Sequence, residues 1–261
     1  MTSLLDKVAV VTGGGSGIGS EAAIRLAKLG VKVCLMDVNK DDSEKVKQQI
    51  EDIDGTALVV PCNVVNSYDV KTSIEKVIQM WGRLDIVFAN AGIAGTLSPI
   101  ETMDVEEWED TLEINLKGTF LTVKYAIPHL KNKGGSIIIT SSVSGNRVFS
   151  QPGFSAYSTS KAGQVAFMKM AALELARFKI RVNAICPGAI QTNIGESIHK
   201  SPELEQIAVP INFPEGDQPL EHGPGHPEQV ADLVQFLASD DSSHITGTEI
   251  YIDGGESLLR G

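Results

Sequence analysis

Cysteine is scarce in this sequence of 261 residues, which contains three of them. Cys34, Cys62 and Cys186 are odd in number, far apart and embedded in apolar, strand-like runs. Disulfide-stabilised secreted domains carry denser, even-numbered sets of cysteines. Met1–Lys7 runs directly into the first strand pattern without a basic and apolar leader. The sequence therefore excludes a disulfide scaffold and predicts three reduced core thiols in a cytoplasmic protein.

Long apolar runs and an excess of basic residues are also absent. The richest apolar helix candidate, Gln164–Phe178, is interrupted by Lys169 and Glu174, and it falls short of the roughly 18 apolar residues that a membrane span needs. The chain has 22 Lys and Arg against 33 Asp and Glu, a net charge of −11. Nucleic-acid binding depends on clustered Lys and Arg that neutralise phosphates. We therefore expect neither a membrane protein nor a nucleic-acid binder.

Metal ligands at a useful spacing are lacking as well. His222 and His226 are four residues apart, but Gly223, Pro224 and Gly225 between them prevent a helical ligand pair. No third ligand is evident, so the sequence predicts no metal site.

The sequence does contain a regular alternation of short β-branched runs and longer segments with helical periodicity. Such an alternation is typical of βα units around a parallel sheet. Runs such as Ile137–Ile139 are apolar on both faces, as in strands covered by helices on both sides. The sequence therefore predicts an α/β fold: a single Rossmann-type, doubly wound domain over residues 1–261, with a seven-stranded parallel sheet flanked by helices. The predicted strands are Val8–Thr12, Val31–Asp37, Ala57–Pro61, Ile86–Ala89, Ser136–Thr140, Arg181–Ile185 and Glu249–Ile252; the predicted helices are Ile18–Leu29, Asp41–Ile53, Tyr68–Trp81, Val105–His129, Ser155–Phe178 and Pro227–Ala238.

The alternation is lost between residues 189 and 226, where prolines and glycines are interspersed. A long stretch of this kind in a compact domain is usually a lid or a binding loop. We therefore predict that residues 189–226 form a substrate-binding loop. Its carboxylates outnumber its one lysine, Lys200, which disfavours a strongly anionic substrate. These carboxylates are Glu196, Glu203, Glu205, Glu215, Asp217 and Glu221.

A glycine-rich segment, Gly13-Gly14-Gly15-Ser16-Gly17-Ile18-Gly19, lies between the first predicted strand and the first predicted helix. Glycines let the backbone turn tightly and approach a pyrophosphate, whose charge is met by the N–H groups at the start of the helix. Asp37 ends the second strand, 18 residues after Gly19, where a carboxylate accepts hydrogen bonds from an adenosine ribose. Together these features predict a dinucleotide site that prefers NAD(H).

Further motifs follow in order along the chain: Asn90-Ala91-Gly92, Asn115, Ser142 and Tyr157-x-x-x-Lys161. Together with Gly13-x-x-x-Gly17-x-Gly19, they resemble the short-chain dehydrogenase/reductase family. Pro187-Gly188, Thr192 and the closing Gly247…Asp253-Gly254-Gly255 extend the resemblance over essentially the whole chain. The resemblance implies cofactor contacts from Gly13, Ser16, Gly17, Ile18, Gly19, Asp37, Asn63, Val64, Asn90, Ala91, Gly92, Tyr157, Lys161, Pro187, Gly188, Ile190 and Thr192.

Tyr157 and Lys161 are four residues apart on a predicted helix and so share one of its faces. A nearby ammonium favours the phenolate, so we expect Lys161 to lower the pKa of Tyr157 toward the working pH. Tyr157 is then the proton donor in carbonyl reduction and the proton acceptor in alcohol oxidation. Ser142, after the fifth predicted strand, is placed to donate a hydrogen bond to the substrate oxygen. The resemblance implies that Lys161 also bonds the nicotinamide ribose and that Asn115 holds a water linking Lys161 to solvent.

These features predict an NAD-dependent oxidoreductase that acts on a secondary alcohol or ketone, with a neutral polyol, sugar, hydroxyketone or steroid-like alcohol as substrate. One alternative is an NADPH-dependent 3-oxoacyl-thioester reductase, which Asp37 and the net charge of −11 disfavour. Another is a catalytically silent nucleotide-binding scaffold, which the four catalytic candidates disfavour. The resemblance also implies a homotetramer assembled through Tyr157–Phe178 and Pro227–Ile252.

Overall fold

Runs of Val and Ile form most of the parallel sheet that organises the chain. The computed structural model describes residues 4–149, 151–211, 213–214 and 216–260, without the side chain of Arg260. Glu215, one of the predicted loop carboxylates, lies outside these residues. The strands are β1 (Val8–Thr12), β2 (Lys32–Asp37), β3 (Thr56–Pro61), β4 (Ile86–Ala89), β5 (Gly95–Leu97), β6 (Gly135–Thr140), β7 (Ile180–Pro187), β8 (Ile198–Lys200) and β9 (Glu249–Ile252). The α-helices are α1 (Gly17–Ala27), α2 (Lys40–Glu51), α3 (Ser67–Trp81), α4 (Val105–Leu112), α5 (Gly118–Leu130), α6 (Ser155–Leu175), α7 (Pro227–Ala238) and α8 (Glu256–Arg260).

The main sheet has the strand order β3-β2-β1-β4-β6-β7-β9, and its pairings are parallel. The predicted fold class is therefore confirmed: an α/β fold of Rossmann type, with a seven-stranded parallel sheet flanked by helices. The chain adds β2 and β3 on one side of β1 and the later strands on the other. In such sheets, ligands bind in the crevice at this switch point, outside the carboxyl ends of the strands.

The sheet separates two apolar cores. Successive side chains of a strand point to opposite faces, so β1 contributes Val8 and Val10 to one core and Ala9 and Val11 to the other. Helices α3, α5 and α6 cover the first face, and α1, α2 and α7 cover the second. Phe88 of β4 is fully buried, and burying a side chain of this size stabilises the fold by about 2–3 kcal/mol. Two covered faces leave the strand ends as the exposed part of the sheet.

The three cysteines are buried and unpaired, as predicted from their scarcity and surroundings. Burial raises the pKa of the Cys186 thiol to about 12, so this thiol stays protonated at neutral pH. Within the described part of the chain, no helix combines the length and the apolar character that crossing a membrane requires.

The predicted continuous helix Val105–His129 is wrong in one respect. The region is helical, but Glu113–Lys117, between α4 and α5, form a π-helical turn. A π turn takes up an extra residue through i→i+5 hydrogen bonds, and hydrophobic periodicity does not reveal a change confined to one turn. Asn115 lies in the middle of this turn.

Residues 189–226 contain more regular structure than the loss of periodicity predicted. Asn193–Ser197 and Pro202–Ile207 form 3-10 helices, and β8 between them pairs in parallel with β5. Just before this ladder, the Ala94 N–H donates to Ser197 Oγ at 3.0 Å. The start of this region is therefore attached to the segment that follows β4. Its role as a substrate-binding loop stays a prediction.

Candidate active site

A cleft of about 580 Å³ opens at the carboxyl ends of β1 and β4, at the switch point of the sheet. Most of the site residues predicted from the sequence come together around it, although they lie at or after the ends of six different strands. Asn115 and Gly19 are buried behind its wall. The predicted residues that line the cleft are Gly13, Ser16, Gly17, Ile18, Asp37, Asn63, Val64, Asn90, Ala91, Gly92, Ser142, Tyr157, Lys161, Pro187, Gly188, Ile190 and Thr192.

The glycine-rich turn shapes one end of the cleft. Gly13 and Gly17 have φ angles of 64° and 54°, a left-handed conformation that glycine adopts without strain. A Cβ on Gly13 would lie 3.0 Å from Ala91 Cα, so the turn passes very close to the segment after β4. Helix α1 begins at Gly17, and the side chain of its N-cap residue, Ser16, makes no capping hydrogen bond. The start of α1 thus presents backbone N–H groups at the cleft, which suit a pyrophosphate.

The sequence predicted that Gly19 contacts the cofactor. In the structure Gly19 has a packing role and is not among the residues that line the cleft. It is buried in the first turn of α1. A Cβ at this position would overlap the Gly13 carbonyl and lie 2.8 Å from Asn90 Nδ2. Glycine is required here because the helix packs directly on the turn that precedes it.

Asp37 is held beside the glycine-rich turn by two backbone N–H groups. Its Oδ2 accepts from Gly15 and its Oδ1 from Asn39, each at 2.9 Å. Among the cleft-lining residues that the structure describes, Lys161 is the only lysine or arginine. Lys40 lies exposed at the start of α2. This end of the cleft therefore presents a fixed carboxylate without a lining cation beside it.

Asn90 connects three strands at the base of the cleft. Its Nδ2 donates to Thr12 O and Gly13 O, both at 3.3 Å. Its Oδ1 accepts from Thr140 Oγ1 at 3.0 Å. The amide therefore fixes the ends of β1, β4 and β6 relative to one another.

The predicted proton-transfer residues meet where the end of β6 faces α6. Tyr157 and Lys161 lie one turn apart on α6, and Lys161 Nζ is 5.5 Å from the centre of the Tyr157 ring. Lys161 is 2% exposed, and its Nζ donates to Thr140 O at 2.9 Å. The Ser142 side chain forms a hydrogen bond with Tyr157, and its Oγ accepts from the Ser144 N–H at 3.1 Å. A hydroxyl, a phenol and an amine therefore share one wall of the cleft.

The pKa of Tyr157 is raised, whereas the sequence predicted that it would be lowered. Burial removes the hydration of the phenolate, and the hydrogen bond with Ser142 offsets only part of this effect. Lys161 does not supply the predicted stabilisation, since its Nζ is directed to the Thr140 carbonyl and burial lowers its own pKa to about 8. Tyr157 is therefore a neutral phenol at neutral pH, the form that donates a proton.

Asn115 joins the cleft wall to α6. Its Oδ1 accepts from the Ile93 N–H at 2.8 Å, and its Nδ2 donates to Ile93 O at 2.9 Å and to Ser160 Oγ at 3.0 Å. Its backbone carbonyl accepts from Gln164 Nε2 at 2.8 Å and from Thr119 Oγ1 at 2.7 Å. These bonds position α6 at the residue before Lys161. The water-holding role that the resemblance implied stays a prediction.

Other residues line the cleft without having been predicted. Ile194, Glu196 and Ser197 reach it because the pairing of β5 with β8 brings the 3-10 turn before β8 against the segment after β4. Ile93, whose N–H donates to Asn115, and Ile114, which precedes Asn115 in the chain, also line the cleft. No motif marks these five positions; the loss of periodicity after residue 189 was the one available signal for the first three.

The donor set of this cleft fits a nicotinamide dinucleotide. Backbone N–H groups at the glycine-rich turn suit a pyrophosphate, and Asp37 suits a ribose with free hydroxyls. The buried Lys161 amine supplies a donor toward the far end of the cleft, near Tyr157.

Comparison with known proteins identifies the family. A family profile described as enoyl-(acyl carrier protein) reductase matches residues 13–257. The chain belongs to the short-chain dehydrogenase/reductase family. As a member of this family, it is an oxidoreductase with a nucleotide-binding fold.

Curated relatives of this short-chain dehydrogenase/reductase are named for different substrates. The 3-oxoacyl-(acyl-carrier-protein) reductase FabG of Thermotoga maritima is 37% identical over 250 residues, which cover 95% of this chain and 97% of that protein. Cyclohexanol dehydrogenase of an Acinetobacter species is 35% identical over 250 residues, which cover 95% of this chain and 94% of that protein.

Solved structures give the same family likeness. A 3-ketoacyl-ACP reductase from Sinorhizobium meliloti is 42% identical with a TM-score of 0.93, covering 97% of this chain and 100% of that one. A 3-ketoacyl-(acyl-carrier-protein) reductase from Brucella melitensis, complexed with NADH, is 31% identical with a TM-score of 0.85, covering 98% of this chain and 100% of that one. Membership of the short-chain dehydrogenase/reductase family thus gives the reaction class. It does not identify the substrate, which has to be inferred from the residues of the cleft.

Proposed function

We propose that this chain is an NAD-dependent oxidoreductase that transfers a hydride between the nicotinamide and a secondary alcohol or ketone. The position of Asp37 is the observation that supports a preference for NAD(H) over NADP(H). Its carboxylate can accept hydrogen bonds from ribose hydroxyls, whereas it would repel a 2′-phosphate. Among the described lining residues, no lysine or arginine stands beside Asp37 to compensate.

The reaction needs a proton at the substrate oxygen as well as a hydride. A nicotinamide cofactor held by the glycine-rich turn, Asp37 and Lys161 would supply the hydride for ketone reduction and accept it in alcohol oxidation. In carbonyl reduction, the neutral phenol of Tyr157 donates its proton to the substrate oxygen; in alcohol oxidation, its phenolate accepts that proton. Ser142 donates a hydrogen bond to the same oxygen while charge develops there. We assign Lys161 to the nicotinamide ribose and, with Asn115, to resupply of the proton.

An uncharged substrate suits the charges around the cleft. Glu196 lines the cleft, and Lys161, the only described lining cation, is buried. A phosphorylated or strongly anionic substrate would meet repulsion there and few partners. A neutral polyol, sugar, hydroxyketone or steroid-like alcohol therefore fits best, with residues 189–226 as the loop that covers it.

The names of relatives favour a second candidate, NADPH-dependent reduction of a 3-oxoacyl thioester. The T. maritima and S. meliloti relatives both carry such a name. Asp37 argues against NADPH, and the net charge of −11 would repel an acidic carrier protein. The B. melitensis reductase is complexed with NADH in its structure, so the substrate in the name does not by itself imply NADPH.

We also propose that the functional form is a homotetramer built through α6 and the region 227–252. Met170 and Leu173 on α6 are 67% and 77% exposed. Phe120 and Phe167 line a shallow apolar groove between α5 and α6. Large apolar side chains exposed on adjacent helices suit contact with further copies of the chain.

The test is an assay with NAD and NADP in parallel, against neutral secondary alcohols and, in the reverse direction, ketones and 3-oxoacyl thioesters. We expect the highest kcat/KM with NAD(H) and an uncharged substrate. Tyr157→Phe keeps the ring but loses the hydroxyl, so it should lower kcat by about 10²–10⁴-fold while NADH binding stays near wild type. A higher kcat/KM with NADPH than with NADH would overturn the Asp37 argument. Retention of more than roughly a tenth of kcat in Tyr157→Phe would exclude its acid/base role.

A further inference from the structure

The backbone of Ala189 is held by two side chains from distant parts of the sequence. Its N–H donates to Glu256 Oε2 at 3.0 Å. Its carbonyl accepts from Gln218 Nε2 at 2.9 Å, in addition to the backbone N–H of Gly225 at 3.0 Å. Gln218 Nε2 also donates to Glu256 Oε2 at 3.4 Å, so the two side chains bond to each other as well as to the backbone of Ala189. We refer to Glu256 and Gln218 as the Ala189 clamp.

The clamp is buried although the residue it holds is exposed. Glu256 is 5% exposed and Gln218 is 2% exposed. A buried carboxylate is costly unless hydrogen-bond donors surround it, and here the donors come from a backbone N–H and an amide. A Cβ on Gly188 would lie 2.6 Å from Glu256 Oε2, so a glycine before Ala189 lets the carboxylate approach.

The closing motif of the chain places the clamp. Asp253 accepts from the Ser257 N–H at 2.9 Å and from the Gly255 N–H at 3.2 Å, which fixes the start of α8 and with it Glu256. A Cβ on Gly254 would lie 3.1 Å from Gln218 Oε1. The motif therefore brings Glu256 and Gln218 to the same peptide groups.

We propose that Glu256 and Gln218 are positioning residues that hold Pro187–Ile190 in the conformation that lines the cofactor cleft. Pro187, Gly188 and Ile190 all line the cleft, while neither clamp side chain is among its described lining residues. The clamp thus acts through the backbone of Ala189. This inference rests on the proposed cofactor site, and it gives the C-terminal segment a part in cofactor binding.

Loss of the clamp has a defined consequence. The segment after β7 would keep its backbone bonds to Ile252 and Gly225 but lose the side-chain bonds at Ala189. It would therefore be less ordered in the free protein, and part of the ordering would have to occur when the cofactor binds, so binding would weaken by about tenfold. Tyr157 and Lys161 are held by α6 and not by this segment. Therefore kcat at saturating cofactor should change little.

The experiment uses the full-length protein with Glu256→Leu, which removes the acceptor, and Glu256→Gln, which keeps an acceptor oxygen. Amide hydrogen exchange of the 187–192 region, measured without cofactor, reports on the clamp directly. We expect Glu256→Leu to accelerate exchange at Ala189 and to raise the Kd for NADH and the KM for NAD about tenfold, with kcat within about threefold of wild type. Glu256→Gln should restore both readouts to within about threefold of wild type. Glu101→Leu, which removes an exposed glutamate elsewhere, should change neither.

Wild-type exchange at Ala189 together with wild-type NADH affinity in Glu256→Leu would overturn the proposal. So would a Glu256→Gln protein as defective as Glu256→Leu. If Glu256→Leu does not fold, Gln218→Ala takes its place, and unchanged exchange and affinity in that variant would equally refute the clamp. The exchange measurement needs no cofactor, so it still decides the clamp if the enzyme proves to prefer NADPH.

Discussion

Replacing Asp37 should change which cofactor the enzyme prefers. The carboxylate cannot rotate away from a 2′-phosphate, because two backbone N–H groups hold it at 2.9 Å each. At about 5 Å and an effective dielectric constant near 20, two like unit charges repel by about 3 kcal/mol. Salt screening that halves this energy still leaves a discrimination of at least about tenfold against NADPH. Removing the charge should therefore raise the NADPH/NADH ratio of kcat/KM by about tenfold or more.

The choice of substitution separates charge from hydrogen bonding. Asp37→Asn removes the charge and keeps one of the two oxygens that accept from the backbone, so NADH affinity should fall less than in Asp37→Ser while NADPH gains. Asp37→Ser also shortens the side chain that accepts from Gly15, so it should cost some NADH affinity as well. Adding Val38→Arg supplies a cation from a side chain that is 73% exposed and lines the cleft, and it should increase the NADPH gain.

The assay is initial-rate kinetics with both cofactors at fixed ionic strength, together with NADH and NADPH titrations of each variant. Asp41→Asn is the matched control, because Asp41 is an exposed carboxylate on α2 that does not line the cleft. A change in the cofactor ratio below about threefold in Asp37→Asn, or an equal change in Asp41→Asn, would refute the reasoning.

Three further predictions concern pH and assembly. Because burial raises the pKa of Tyr157, the fraction of its phenolate form increases only at alkaline pH. Initial rates of alcohol oxidation should therefore increase with pH while rates of ketone reduction decline, and an oxidation rate independent of pH would contradict this role. Burial lowers the pKa of Lys161 to about 8, so between that pH and its ordinary value the folded state binds fewer protons than the unfolded chain and gains stability as the pH rises. Denaturant unfolding of wild type should therefore gain about 2 kcal/mol over Lys161→Met between about pH 7.5 and 9.5, and parallel pH curves would argue against it. Light scattering at micromolar concentration should give about four times the chain mass of 27.9 kDa, and Leu173→Glu should reduce the mass while Glu174→Ala leaves it unchanged; a monomeric wild type would exclude the tetramer.

The sheet was predictable because its signal is local and repeated. Strand β4 has the predicted bounds, and β1 matches them as well, since both are short apolar runs ended by glycine or polar residues. Strands β5 and β8 have three residues each and pair only with each other. A three-residue run has no periodicity to detect, and its pairing depends on where the tertiary fold brings it.

The features of the site also divide into those that a local sequence pattern predicts and those that depend on the tertiary fold. Motif residues such as Tyr157 and Asp37 were predicted because their spacing fixes them to a helix face or a strand end. The raised pKa of Tyr157 was not, because it depends on burial and on the direction of the Lys161 amine toward Thr140. The Ala189 clamp likewise joins side chains from residues 218 and 256, and no local pattern connects them.

The π-helical turn at Glu113–Lys117 limits where residues can be deleted from or inserted into this part of the chain. Deleting one residue there would restore regular α-helical hydrogen bonds, and it would rotate α4 by about 100° relative to α5. Either the Asn115 amide would leave Ile93 or buried Thr111, which faces Gly95, would turn out of its contact. A deletion that improves the local helix would therefore break one of the two contacts that this helical region makes with the segment after β4. At this position a more regular helix would be gained only by losing a contact that supports the site. Deletions and insertions should therefore be tolerated outside the turn and not within it.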